Sequence, residues 1–165
     1  MRRTGVILVE LIMAVAIFAI IFFTVVLIFR TGIKQNIAVT QLTTIISNTR
    51  KALYGAGRIK GIVPEIRSAC GVTDLNSSML SLIVGQTTVY FYLNGEDIIR
   101  DEAGSKEAVA SHCSKIQFVY YQRQPDYTIA LATEPENVHL ISALVQIKQG
   151  NREMSLSANS QLRNK

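Results

Sequence analysis

The chain opens on an apolar run with almost no polar relief. Between Val6 and Phe29, 24 residues carry one charge, Glu10, and one hydroxyl, Thr24. A helix of that length rises ~36 Å at about 1.5 Å per residue, enough to cross roughly 30 Å of hydrocarbon with some tilt. A core helix of a soluble protein would carry a polar stripe, and this run has none. It is therefore expected to be a transmembrane helix. From Ile33 onward the pattern recurs at helical spacing, through Ile33, Ile37, Leu42, Ile45, Ile46, Thr49 and Leu53, with polar residues between. No proline interrupts before Pro64. Gly55 and Gly57 supply a stop, and Arg50 and Lys51 stand in the last turn, where the helix dipole favours cations. The expectation is one helix from Val6 to about Tyr54. A break near Gly32, giving a membrane helix and a separate juxtamembrane helix, is the alternative.

Beyond Gly57 the period changes. Ile59 to Cys70 reads as a loop with a helical turn. Met79 to Val84 and Thr87 to Leu93 flank Gly85-Gln86 and predict a hairpin, the second arm rich in β-branched and aromatic residues. Asn94-Gly95 is a strong turn signal, with Asp97 to Arg100 as the strand after it. Ser105 to His112 is polar and reads as irregular, and Lys115 to Gln122 as a strand. Arg123 to Asn137 contains Pro125 and Pro135 and reads as a loop with a short strand at Tyr127 to Leu131. Val138 to Gln149 and Glu153 to Ser160 flank Gly150-Asn151 as a terminal hairpin. The fold class that results is α+β: a long N-terminal helical spine, its first half transmembrane, packed on an antiparallel sheet. The segments are 1–5 (leader), 6–29 (membrane helix), 30–54 (amphipathic continuation) and 55–165 (a β-rich extracytoplasmic domain).

Composition changes the picture in one respect. Apolar residues make up 48% of the 165, but the excess sits in the first run, and the rest suffices for one small domain. A secretory signal has an apolar stretch of about 7–15 residues followed by small residues at a cleavage site. Here the run is too long and ends in Phe29-Arg30. The obvious small residue, Gly5, stands before the run, and cleavage there would leave the helix attached with Val6 as the new N-terminus. Arg2 and Arg3 balance Arg30 and Lys34 across the run, so charge alone hardly fixes orientation. The short leader, which needs no translocation, favours a cytoplasmic N-terminus. Glu10 needs a reason, because a carboxyl inside lipid costs a few kcal/mol. Either it reaches water near the interface, or it meets a cation in an assembly.

The stretch Arg3-Thr4-Gly5-Val6-Ile7-Leu8-Val9-Glu10-Leu11 resembles the prepilin motif of type IV pilins and type II secretion pseudopilins. In that family a membrane peptidase cuts after the leader's Gly, the new first residue is N-methylated, and a Glu stands fifth in the mature chain. The resemblance puts cleavage between Gly5 and Val6, methylation on Val6, and assembly register on Glu10, paired with a neighbour's amine. Val6 and Ile7 depart from the Phe and Thr usual at the first two mature positions. Val89-Tyr90-Phe91-Tyr92-Leu93 with Asp97-Ile98-Ile99-Arg100, and the ending Gln161-Leu162-Arg163-Asn164, are similar to J-type minor pseudopilins and their minor-pilin and competence relatives. The resemblance implies a non-enzymatic minor filament subunit. Its partners would be other pilin-like subunits, the prepilin peptidase and the inner membrane. A membrane-anchored binding or enzyme domain with an uncleaved anchor is the competing class.

Other chemistry is thin. Cys70 and Cys113 could form a disulfide outside the cytoplasm, closing a loop of about 43 residues worth on the order of 3–4 kcal/mol, or remain free thiols. His112 beside Cys113, with His139 as the other histidine, does not make a metal set, and no metal or cofactor is expected. A Cys–His139 nucleophile lacks an orienting third group. Glu96, Asp97, Asp101 and Glu102 read as calcium or acid–base candidates, or as a solvated loop. No phosphate loop, dinucleotide fingerprint or nucleophile elbow is present. The net charge is +5, or +3 without Arg2 and Arg3. Arg50, Lys51, Arg58, Lys60 and Arg67 gather after the long helix, so DNA is an alternative partner for a face that would otherwise be merely solvated.

Overall fold

A computed structural model of the chain describes residues 2–163, with side chains from Leu8 onward. The expected leader 1–5 and the Gly5–Val6 junction therefore have no described side chains, and Asn164 lies outside the described residues. The chain divides into two compact units, Met1–Thr40 and Gln41–Lys165.

Helix α1 runs Arg2–Tyr54 without interruption, so Gly32 does not break it. In the first unit its apolar side chains are exposed around the whole circumference from Leu8 to Phe29. The hydroxyls are satisfied within the helix: Thr24 Oγ1 donates to the Ile20 carbonyl at 2.8 Å and Thr31 Oγ1 to Leu27 at 2.9 Å. Such back-bonding lets a threonine sit in an apolar medium without an unpaired donor. Ile33 and Ile37, expected on a packed face, are also exposed.

Packing begins in the second unit, where Ile45, Thr49, Ala52 and Leu53 form the buried face of α1. Their spacing is that of one helical stripe. Leu42, one turn before this stripe on the same face, and Ile46, at its edge, were expected to pack and remain exposed. The buried Thr49 hydroxyl donates to the Ile45 carbonyl at 2.7 Å. The helix stops where Gly55 turns to φ +88°, a conformation that favours glycine. Strands β1 (Gly55–Ala56) and β2 (Ile59–Lys60) then make a minimal hairpin. Gly61 lies so close to the backbone of Leu53, Tyr54 and Gly55 that a Cβ would collide with it.

The segment expected as a loop with a helical turn is a two-turn helix, α2 (Ile62–Ser68). Pro64 stands in its first turn, where no intrahelical N–H bond is lost. Ile62, Val63 and Ile66 enter the core.

Two antiparallel sheets follow. The first is a five-stranded meander of β3 (Gly71–Val72), β4 (Met79–Val84), β5 (Thr87–Asn94), β6 (Asp97–Glu102) and β7 (Ser105–Ala110). The β5–β6 loop is Gly95-Glu96, since Asn94 pairs with Asp97. The turn thus uses Gly95 at its first position with φ +64°, one residue later than an Asn-Gly loop. Ser105–Ala110, expected to be irregular, is an edge strand. Its ladder to β6 supplies what its polar sequence does not, and only Val109 and Ala110 are buried.

The second sheet contains β8 (Cys113–Arg123), β9 (Ile129–Leu131), β10 (Val138–Gln149) and β11 (Arg152–Gln161), in the order β11-β10-β8-β9. Two bulges adjust its pattern. One inserts His139 between the Val138–Gln122 and Leu140–Tyr121 pairs, and the buried set on β10 changes parity from Val138 to Ile141, Ala143, Val145 and Ile147. The other inserts Ser114 into β8 and turns Cys113 inward. One continuous core joins α1, α2 and both sheets, closed by Leu162. Beside it the Arg163 N–H donates to the Ala69 carbonyl at 3.0 Å.

Phe118 is fully buried at the centre of this core. Phe118→Ala should cost about 3–5 kcal/mol, read as a lowered urea midpoint with an unchanged slope.

Candidate functional site

Two features carry chemistry, one in each unit. In the first, α1 from Leu8 is long and apolar enough to cross a membrane. Glu10 is its exception. The carboxylate is exposed, and it makes no hydrogen bond or ion pair with any described residue. With the Thr24 hydroxyl satisfied internally, Glu10 is the polar side chain of Leu8 to Phe29 left without a partner among the described residues.

The second feature lies where α2 meets the five-stranded sheet. Glu65 is fully buried. The Arg100 guanidinium reaches Glu65 Oε1 from Nη2 at 2.6 Å and from Nε at 3.1 Å. Nη2 also donates to Glu102 Oε2 at 2.7 Å. Ser68 Oγ lies 3.2 Å from the other Glu65 oxygen, and Lys60 Nζ stands 3.8 Å from Oε1. Burial acts to lower the Arg100 pKa, but hydrogen bonds and charge from Glu65 and Glu102 more than offset it and raise it. The Arg100 hydrogen bond and charge hold the Glu102 carboxyl below the usual carboxylate range. This is a buried, saturated ion pair. It offers neither nucleophile nor proton relay, and it ties α2 to β6.

Sequence reasoning missed this pair, and its signal was present. Arg100 shares strand parity with the buried Ile98, and Glu65 interrupts the buried face of Ile62 and Ile66. Charges at inward positions of two elements are expected to find each other.

The sequence-predicted residues are otherwise dispersed. Of the two readings open for Cys70 and Cys113, a disulfide or free thiols, the structure holds both as free thiols. Cys70 is exposed at the edge of the five-stranded sheet, its Sγ 3.3 Å from the Ile83 carbonyl. Cys113 is buried at the start of β8 in the other sheet, turned inward by its bulge. Burial, with the charge of Asp97, pushes the Cys113 thiol up to about 11. Three of the four carboxylates near the β5–β6 turn have separate neighbours. Glu96 lies 3.6 Å from His112, Asp101 accepts the Gly104 N–H at 3.0 Å, and Glu102 binds Arg100. No cluster of metal-ligating side chains forms among the described residues. Of the basic set, Arg58 and Lys60 line a cavity of about 280 Å³ with Glu65, Glu102 and Glu107, while Arg50 and Lys51 line another.

Compared with protein-family models, with curated proteins and with solved structures, the chain matches none.

Glu65→Ala leaves the Arg100 guanidinium with Glu102 alone and its Nε without an acceptor, and should cost about 1–3 kcal/mol in chemical denaturation. Glu102 contributes stability fully above its unfolded pKa of about 4.3 and loses it as pH falls through the depressed folded value. Glu102→Gln should therefore narrow its gap from the parent below about pH 4 in an acid series of melting temperatures. At pH 8, Cys70 should react promptly with a thiol reagent, and Cys113 only after unfolding.

Proposed function

We propose that this protein is a single-pass membrane-anchored subunit that assembles through its N-terminal helix into a pilin-like filament, as a minor and non-enzymatic component. The observation that carries the reading is the all-round apolar exposure of α1 from Leu8 to Phe29, with the unpartnered carboxylate of Glu10 near its start. In the membrane that surface is covered by lipid. In a filament it is covered by equivalent helices, with protein replacing lipid. An unpaired carboxylate is costly in either medium. Processing between Gly5 and Val6 would generate an amine that neutralises Glu10 of a neighbour and sets its axial register. A cytoplasmic N-terminus places the β-rich unit outside the cytoplasm before assembly. The prepilin motif supports the same processing, with Val6 as the residue to be methylated.

The mature N-terminus decides between this reading and an uncleaved anchored domain. Mass spectrometry on protein from cells with a prepilin peptidase should find chains starting at Val6, N-methylated. Intact Met1 in such cells would sink the proposal. Glu10→Ala should leave membrane insertion unchanged and reduce helix–helix crosslinking between subunits by about tenfold, given a pair worth more than about 1.4 kcal/mol. Normal crosslinking would remove the charge-pair role.

A further inference from the structure

Strand β9 ends the four-stranded sheet. Its ladder to β8 pairs Gln122 with Ala130, flanked by bonds from Gln124 N–H to the Thr128 carbonyl and from Ala132 N–H to the Tyr120 carbonyl, both 2.9 Å. The peptide groups of Ile129 and Leu131 alternate with these and so face the open edge. The side chains of the same two residues are 64% and 65% exposed. An open apolar edge invites pairing, and folded proteins commonly blunt such edges with charge or proline.

The loop before β9 is built, not slack. Asp126 Oδ1 accepts the Thr128 N–H at 3.0 Å and its hydroxyl at 2.6 Å, and the Tyr127 N–H donates to the Gln124 carbonyl at 3.0 Å. Tyr127 is held at φ +68°, a conformation costly for an aromatic residue, and is 75% exposed. Its ring stacks under the Arg123 guanidinium at 4.6 Å. Behind them lies a cavity of about 220 Å³, room for one large side chain, whose lining includes Tyr121, Ile129 and Leu140. The β10 bulge brings His139 into the same lining. Arg123 and His139 are its basic side chains, beside the phenols of Tyr121 and Tyr127, and no carboxylate lines it. The Gln122 Oε1 atom, on another lining residue, is buried without a hydrogen-bond donor.

We propose that β9 and this cavity accept an extended segment of a partner chain, one that adds a strand to the edge, seats an apolar side chain in the cavity and carries a carboxylate beside Arg123. Strand addition supplies the main-chain bonds, and the pocket supplies specificity. A lining with Arg123 and without a carboxylate selects an acidic segment over a basic one. Self-pairing of two β9 edges is disfavoured, because it sets Arg123 against a second Arg123 with no acid in either lining. The site belongs to the globular unit and stands whether or not α1 assembles as proposed above.

The test uses the full chain in detergent micelles and the blocked peptide acetyl-Glu-Val-Phe-Val-Glu-amide, followed by amide shifts in NMR. The Ile129 and Leu131 amides should move, and the affinity should exceed that of the peptide with Lys in place of both Glu residues by about tenfold at low salt. Arg123→Gln should abolish that preference. Ile129→Pro removes an outward N–H while sparing the ladder to β8, and should weaken binding by about tenfold. A peptide N-methylated on its valine amides should show the same loss on the unaltered protein, whatever the fate of the proline variant. Equal affinity for acidic and basic peptides, shifts confined to other residues, no binding at millimolar peptide, or dimerisation through β9 that excludes the peptide would each overturn the proposal.

Discussion

The apolar surface of Leu8 to Phe29 cannot be left in water. Each large side chain there forgoes about 1.5–3 kcal/mol while solvated, so the stretch as a whole carries tens of kcal/mol of unrealised burial. That exceeds the net stability of an ordinary small domain. The segment is long and apolar enough to cross a membrane, where lipid would cover that surface. Everything polar in it is then read against a low-dielectric surrounding. Thr24 meets that condition by bonding back to its own helix. Glu10 has no such partner among the described residues.

The second unit solves its own burial problem with different means. The stripe Ile45, Thr49, Ala52 and Leu53 joins a core completed by α2 and two sheets. Into that core the fold admits one strong polar pairing, Glu65 with Arg100, extended to the surface through Glu102 and Lys60. A buried ion pair is weak evidence for added stability, since desolvation cancels much of its attraction. Its effect here is geometric. Two bonds from the guanidinium to one carboxylate oxygen leave α2 little freedom against β6. Gly61 acts in the same region by contact, because its missing side chain lets the α2 entry lie directly on the end of α1.

Much of the architecture was legible because its signals are local. The membrane helix is a run of composition, the hairpins at Gly85-Gln86 and Gly150-Asn151 are marked by glycine, and the alternation in Thr87–Asn94 is explicit. The misses are non-local. Ser105–Ala110 becomes a strand through the ladder offered by β6, with little help from its own residues. The bulges at His139 and Ser114 leave no mark in sequence, yet they decide that Ile141 and Cys113 face inward. The helical pattern at Ile33, Ile37, Leu42 and Ile46 was correctly periodic, but periodicity does not say what lies opposite a face. For the sites, Glu10 stood out as one charge in a long apolar run. Glu65 and Arg100 were passed over because they are 35 positions apart and each looked ordinary alone.

The burial of Leu162 sets an order of events during synthesis. The ribosome releases the apolar helix first and residue 162 only after every strand of both sheets. The five-stranded meander can form hairpin by hairpin as it emerges, since every strand in it neighbours the one before. The core cannot close until β10 has taken its place between β8 and the later β11, and Leu162 has reached the same core as α2. A chain that has emerged only through β9 would therefore wait, half-built, for β10, β11 and Leu162. Nascent chains in which residues beyond 137 are still inside the ribosome should then resemble a partial sheet, whereas those with residue 163 outside the exit tunnel should already be as protease-resistant as the released protein.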